Sequence, residues 1–423
     1  MSLRPGAPPV RLSSTLAETT SGCFVPDPGM TVEAITNLSQ RTFRAGAAYD
    51  LVVFDRLPAD EQIMLVELRA DPDFYGVLRP RSGSGRTIKA VGKETALLWL
   101  TLQSPGPLPF FVLNQDSKDE GNPIPKLLLD GVLEVEEEGR FLSGCEAAAW
   151  MARDRATPSP ESRSQLALLS DAALYYGESL LFNDPRQLAI RLYGFGRQPV
   201  TPQWIQRLAN REAVLSFLGA GNGTELRRRL DSDWQETSNP KMPGWLVWSS
   251  RKRSELALGD VHYKLYVSPA MTALPQVFSA VLEVAAARGG RFKIGSDAAG
   301  LLRPDKMVLY FQDQEILFAV ASELASRFKG IAAHGVPFSA EITRDGLLSW
   351  GMDPPESERL LNWQEPESWR LWVVRRLAAA MIAAQSDSRP GMAPGKFALE
   401  RLRHEGIDVD GWTPSLSIWH GRK

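Results

Sequence analysis

Residues 261–310 read VHYKLYVSPAMTALPQVFSAVLEVAAARGGRFKIGSDAAGLLRPDKMVLY, and along them the apolar period changes from two to 3.6 and back. In residues 261–268, Val261, Tyr263, Leu265 and Val267 share one face of a strand, and His262, Lys264, Tyr266 and Ser268 share the other. In residues 274–288, Leu274, Val277, Phe278, Val281, Leu282 and Ala285 form one apolar stripe, as a helix laid on a sheet requires. Strands are expected at 291–295 and 306–312, a helix at 314–329 and a strand at 336–343. The order β-α-β-β-α-β makes this a mixed α/β domain.

On the C-terminal side, helices are expected at 368–384 and near 397–404. On the N-terminal side, helices are expected at 164–181 and 184–193, the second with Asp184 as N-cap and Pro185 in its first turn; Thr201 and Pro202 repeat that start signal. The polar, proline-containing run ARDRATPSPESRS (152–164) marks a boundary near residue 155. Ahead of it lie a strand at 49–54, a hairpin of 74–79 with 86–91 around Ser82–Gly85, a helix at 93–102, a short helix at 124–129 and a second hairpin in GVLEVEEEGRFLSG (131–144). Residues 1–45, rich in Pro, Ser, Thr and Gly, read as a mobile arm.

The fold class is therefore α+β, in four parts: the arm 1–45, a small α+β module 46–150, a helical connector 151–244 and the mixed α/β domain 245–423. Few long apolar elements are expected to cross the boundary near 155, so the module should be separable. Its order of hairpin, helices and β-wing resembles the small winged-helix modules that bind leader peptides in pathways for ribosomally made, modified peptides. That resemblance implies an exposed hairpin edge able to accept a peptide strand.

A chain of 423 residues, 43% hydrophobic and 23% charged, has ample apolar content for two or three domains. A net charge of −2 argues against a dedicated nucleic-acid binder, which needs excess cations to displace counterions. No run approaches the roughly 20 apolar residues of a membrane span, and the opening residues lack a secretory core, so a cytoplasmic protein is expected. Cys23 and Cys145 are too few for a disulfide framework or a cysteine-rich zinc site. His262, His334, His404 and His420 lack metal-ligand spacing, and chemistry without metal or cofactor is expected. The run GAGNGT (219–224) lacks the Lys-Ser/Thr pair of a phosphate loop and reads as a turn.

The cations of residues 261–310 fall differently. Lys264, Tyr266 and His262 share a strand face; Lys293 projects opposite Phe292 and Ile294; Arg303 and Lys306 flank the mouth of the next strand, whose Tyr310 shares the Lys306 face. If these strands are neighbours, the groups converge on a positive pocket suited to a phosphomonoester.

VHYKLYVSP (261–269), RFKIG (291–295), GLLRPDKMVLYF (300–311), HGVPF (334–338) and DGLLSWGMDPP (345–355) resemble the HopA-type effector family, found also as lyase-like proteins in bacterial gene sets for modified peptides. The resemblance covers roughly residues 245–355. That family is distantly similar to the phosphothreonine lyases, which remove phosphate from phosphorylated Thr or Ser by β-elimination and leave a dehydroamino acid. The resemblance implies a phosphorylated precursor peptide as substrate, in biosynthesis of the lanthipeptide or thioamitide type, and a kinase-like partner protein that supplies the phosphate.

Matched residue by residue, it sets Lys293 as the base and Arg303 as a phosphate ligand, with Lys306 and Tyr310 beside them. Lys264 matches the first lysine of a K-x-H pair whose second position is Tyr266 here. The general acid is then Tyr266 or His262, and the sequence does not choose between them. The departure also leaves open a non-catalytic phosphopeptide-binding or effector protein. Like charges on Lys264, Lys306 and Arg303 are expected to lower the Lys293 pKa.

Overall fold

The computed structural model describes residues 40–81, 87–113, 123–153, 155, 163–237, 244–251, 263–288, 290–355, 361, 364–387 and 391–414. Cys23, the turn at 82–85, His262 and His420 lie outside the described residues.

The alternating segments build a seven-stranded, wholly antiparallel sheet from Trp234–Glu236 (β1), Trp245–Ser250 (β2), Tyr263–Val267 (β3), Arg291–Gly295 (β4), Met307–Phe311 (β5), Ala340–Glu341 (β6) and Leu348–Met352 (β7), in the order β6-β7-β3-β5-β4-β2-β1. Period two decides its two faces. Leu246, Trp248, Leu265, Val267, Phe292, Ile294, Met307, Leu309 and Phe311 point one way, into a core closed by the apolar stripes of two helices, Leu274–Arg288 and Gln314–Arg327. Burying a Leu, Val or Phe there stabilises by roughly 1.5–3 kcal/mol per side chain, which fixes the register: a one-residue slip would turn the whole apolar set to the other face. That leaves Lys264, Tyr266, Lys293, Val308 and Tyr310 together on the opposite face.

The expected strand at 336–343 shrinks to Ala340–Glu341, and its place beside β3 is taken by β7, which the apolar pattern did not reveal. Gly351 in β7 lies opposite Lys264, and a Cβ there would sit 2.4 Å from Cδ1 of Trp369. Glycine lets that indole pass behind the strand.

Helices Gln165–Glu178 (α1), Pro185–Tyr193 (α2), Trp369–Gln385 (α3) and Pro394–Arg403 (α4) form the second large core, around Trp369, Trp372, Val373, Leu377 and Met381. Ser164 and Asp184 cap α1 and α2, accepting from Ala167 N at 3.1 Å and Arg186 N at 2.8 Å.

This core also holds Leu129, Cys145 and Ala148, so apolar packing crosses the boundary near 155, contrary to the expectation of few such contacts. Asp130 bridges the same junction, pairing with Lys89 at 2.8 Å and with Arg401 at 2.7 Å. Order also starts earlier than expected. Phe43 is fully buried in a strand, Phe43–Ala45, which pairs with Leu133–Glu137, a partner too distant in sequence for local pattern to show.

The expected elements of the module are otherwise present. Strands Tyr49–Val53, Phe74–Pro80 and Lys89–Gly92 form one sheet, and helices span Lys93–Thr101 and Pro123–Leu129. No helix among the described residues is long and apolar enough to cross a membrane.

Candidate functional site

Antiparallel register sets the cations in two rows. One runs Gly351, Lys264, Tyr310, Arg291 across β7, β3, β5 and β4; the next runs Ser349, Tyr266, Val308, Lys293. The Tyr310 ring lies between the lysines, its centroid 5.4 Å from Lys264 Nζ and 5.8 Å from Lys293 Nζ. Lys293 Nζ is also 4.2 Å from the Trp245 ring, and the Arg303 guanidinium lies over the same ring at 5.0 Å. Lys264, Lys293 and Arg303 thus gather around the Tyr310 and Trp245 rings on one face of the sheet.

Arg303 is aimed by its neighbours. Its Nε and Nη2 donate to the two Asp305 oxygens at 2.8 and 2.9 Å. Asp305 also pairs with Arg370 Nη1 at 3.1 Å and accepts from Tyr193 Oη at 3.1 Å. Burial alone would raise the Asp305 pKa, yet Arg370 and Arg303 hold it well below the usual carboxylate range. Burial likewise opposes the charge on Arg303, but Asp305 and Tyr193 keep it above the ordinary arginine value. Its Nη1 donates to nothing among the described residues, which leaves one edge of the fork for an anion. Arg370, only 1% exposed, gives its other donors to Pro337 O and Tyr193 O, both at 3.0 Å, and supports the site from behind.

Lys293 makes no hydrogen bond or ion pair among the described residues. Its pKa falls from the ordinary 10.5 to about 8: burial is the first cause, then repulsion by Lys264, with Asp305 pulling upward and Arg303 adding to the fall. Burial thus outranks the like-charge effect anticipated from the sequence. At pH 7 about one Lys293 in ten is neutral, against well under one in a thousand for an ordinary lysine.

Tyr266, 3% exposed, lies on the same sheet face and packs with Val308, Val336 and Tyr310, its pKa pushed well above the usual tyrosine value by burial first and then by Asp353. It stays protonated and is a donor. Lys264 pairs with Asp353.

Lys306 does not join this group, which corrects its expected place as a phosphate ligand. It is fully buried, and its Nζ donates to Pro269 O at 3.0 Å and to His334 Nδ1 at 2.8 Å. The imidazole Nε2 in turn donates to Gly196 O at 2.6 Å. Both pKa values fall, Lys306 to about 7, mainly by burial against the pull of Asp305, and His334 to about 4, by burial and then by Lys306.

No family model matches the chain, and no curated protein matches it. Among solved structures it is similar to an effector protein from Pseudomonas syringae pv. tomato strain DC3000, with 13% identity, 59% of this chain and 99% of that one covered, and a TM-score of 0.35. It is also similar to the type III effector and phosphothreonine lyase OspF from Shigella flexneri, with 16% identity, 48% and 98% covered, and a TM-score of 0.25. The Chromobacterium violaceum VirA (SpvC) phosphothreonine lyase effector shows 16% identity, 33% and 76% covered, and a TM-score of 0.23.

Several residues of the site were not singled out from sequence: Trp245, Tyr193, Arg370, Asp353 and Arg291. Arg370 carried a readable signal, because it lies on the same helical stripe as Val374, Leu377 and Met381, where a charge needs a buried partner. Arg291 alternates with Lys293's apolar neighbour and reaches within 5.5 Å of the Tyr310 ring. Tyr193 and Asp353 carried none, since each reaches the site from a separate element.

Proposed function

We propose that this cluster eliminates phosphate from phosphoserine or phosphothreonine in a peptide, leaving a dehydroamino acid. The observation that carries the reading is Lys293: an amine held near pKa 8 with no polar partner among the described residues, beside an arginine whose Nη1 edge is open and a second lysine paired with Asp353. β-Elimination requires those parts. The Arg303 Nη1 edge takes the phosphate, the neutral Lys293 amine removes the α-proton, and Lys264 faces the charge that develops on the adjacent carbonyl. The Cβ–O bond then breaks, the electron pair of the α-carbon forms the double bond, and the departing phosphate collects a proton. Tyr266 holds one on this face; His262 remains the other candidate donor.

In this reading the substrate is a phosphorylated precursor peptide of a ribosomally made, modified product, and a kinase-like partner in the same cytoplasm supplies the phosphate. The module 46–150 would then offer the edge of its three-stranded sheet to the leader segment. The test is to incubate the full chain with a phosphothreonine peptide and follow its mass. Loss of one phosphoric acid supports elimination, whereas loss of phosphate with gain of water indicates hydrolysis and refutes it.

A second reading is favoured by Tyr266, whose raised pKa makes it a weak acid where the resembling family has a histidine. There the cluster binds the phosphopeptide without cleaving it. A peptide bound at saturation and recovered unchanged identifies that outcome.

A further inference from the structure

Two lysines beside one tyrosine ring cannot both be the base and both be the fixed cation, and the structure treats them unequally. The Asp353 carboxylate stands just beyond β7, where one oxygen pairs with Lys264 and the other accepts from the backbone N of Trp369 at 2.8 Å, at the start of α3. Its position is therefore set from two sides. The Asp353 side chain is 18% exposed and that of Lys264 10%, so little water competes for the pair. Among the described residues no carboxylate pairs with Lys293. The groups facing Lys293 are Lys264 from β3, Tyr310 from β5, Arg303 and Asp305 ahead of β5, Trp245 from β2, Asp353 itself and Arg291 on its own strand. Asp305 is already engaged by Arg303, Arg370 and Tyr193.

We propose that Asp353 is a positioning residue that divides the work of the two lysines, clamping Lys264 as the fixed cation for the substrate carbonyl and leaving Lys293 as the free amine. The assignment of those two roles rests on the elimination reading above. The clamp has a second consequence. Asp353 also pulls the Lys293 pKa upward, against Lys264 and Arg303, so its charge tempers how far the base is lowered.

The clamp also explains why substrate does not simply pair with Lys264 in place of Asp353. An incoming phosphate meets a lysine already satisfied and an Arg303 edge that is not, so the anion goes to Arg303 and the carbonyl to Lys264.

The test reads the lysines directly. The full-length protein and Asp353→Asn are labelled with trace acetic anhydride across a pH series, and acetylation of Lys264 and Lys293 is read by peptide mass spectrometry. Asparagine keeps an oxygen for the Trp369 N–H while removing the charge, and Asp353→Ser keeps a hydroxyl acceptor should the amide disturb the helix start. In the parent, Lys264 labels slowly at pH 7 and Lys293 labels readily. In the variant, Lys264 labelling rises about tenfold or more, because a charge-assisted contact is gone, and the Lys293 midpoint falls below that of the parent. A smaller rise for Lys264, or a Lys293 midpoint that stays or climbs, overturns the proposal. Labelling does not depend on turnover. A parent that binds but never eliminates would end the lyase reading and leave the clamp to be judged on these data.

Discussion

Lys293 and Lys306 lie within one strand pair of each other, the first half-buried and the second fully buried, both with lowered pKa values, yet their surroundings differ in kind. Lys306 is enclosed, and its donors are matched to Pro269 O and His334 Nδ1. Lys293 makes no hydrogen bond or ion pair among the described residues, and its Nζ lies over the Trp245 and Tyr310 rings. The contrast teaches that a lowered pKa marks a desolvated amine and not by itself a base. A base must also have an empty place beside it for the carbon acid. Both corners lean on the end of α2 and the turn that follows, since Tyr193 steadies Asp305 and Gly196 O receives the His334 N–H.

Removing each amine should separate the two corners. Lys293→Ala is expected to lower the elimination rate by about 10²–10⁴-fold, with phosphopeptide affinity within about twofold of the parent, because the base acts only in the transition state. Single-turnover rates beside a binding isotherm give both quantities. Equal loss of binding and rate would make Lys293 a phosphate ligand instead.

Arg303→Ala should weaken binding itself. A charge-assisted contact to phosphate is worth roughly 1.5–3 kcal/mol, so the dissociation constant is expected to rise about tenfold or more, and turnover to slow as well. Calorimetry with the phosphopeptide measures it, and unchanged affinity would place the phosphate elsewhere in the cluster.

Proton loss from Lys293 sets the pH profile. The neutral amine is the active form, so kcat/KM should climb with pH through about 8, gaining about tenfold between pH 7 and 9. Bound phosphate restores part of the lost attraction for the proton, so the rise in kcat should lie at higher pH than the rise in kcat/KM. A profile falling over this range contradicts a lysine base.

Lys306→Met has the smallest expected effect on chemistry, with turnover of the folded protein unchanged, and its signature is in stability. Lys306 binds its proton more weakly folded than unfolded, so the unfolded chain holds the extra proton between about pH 7 and 10.5, and parent stability rises with pH across that window. The variant should flatten that rise in urea titrations at several pH values. An undiminished slope would mean that Lys306 is not the group responsible.

The sequence carried the face shared by Lys264 and Tyr266, the side from which Lys293 projects, and the helix starts at Asp184 and Thr201, because period two and capping are local. It did not carry the insertion of β7 beside β3, which depends on Gly351 clearing Trp369. For the same reason Asp353 and Tyr193 are not legible in the sequence: each enters the site through pairing over a long stretch of chain. Lys306 was misplaced because strand alternation gives the side of the sheet and not the reach of a long side chain. His334, the partner that holds it away from Lys264 and Lys293, arrives 28 residues later in the chain.

The most direct measurement follows the dehydrated peptide over time, side by side, for the parent, Lys293→Ala and Lys306→Met with one phosphothreonine peptide. The parent and Lys306→Met are expected to accumulate it at similar rates and Lys293→Ala to accumulate none above background. Dehydrated product from Lys293→Ala at the parent rate would contradict the assignment of the base, and its absence from the parent would contradict elimination altogether.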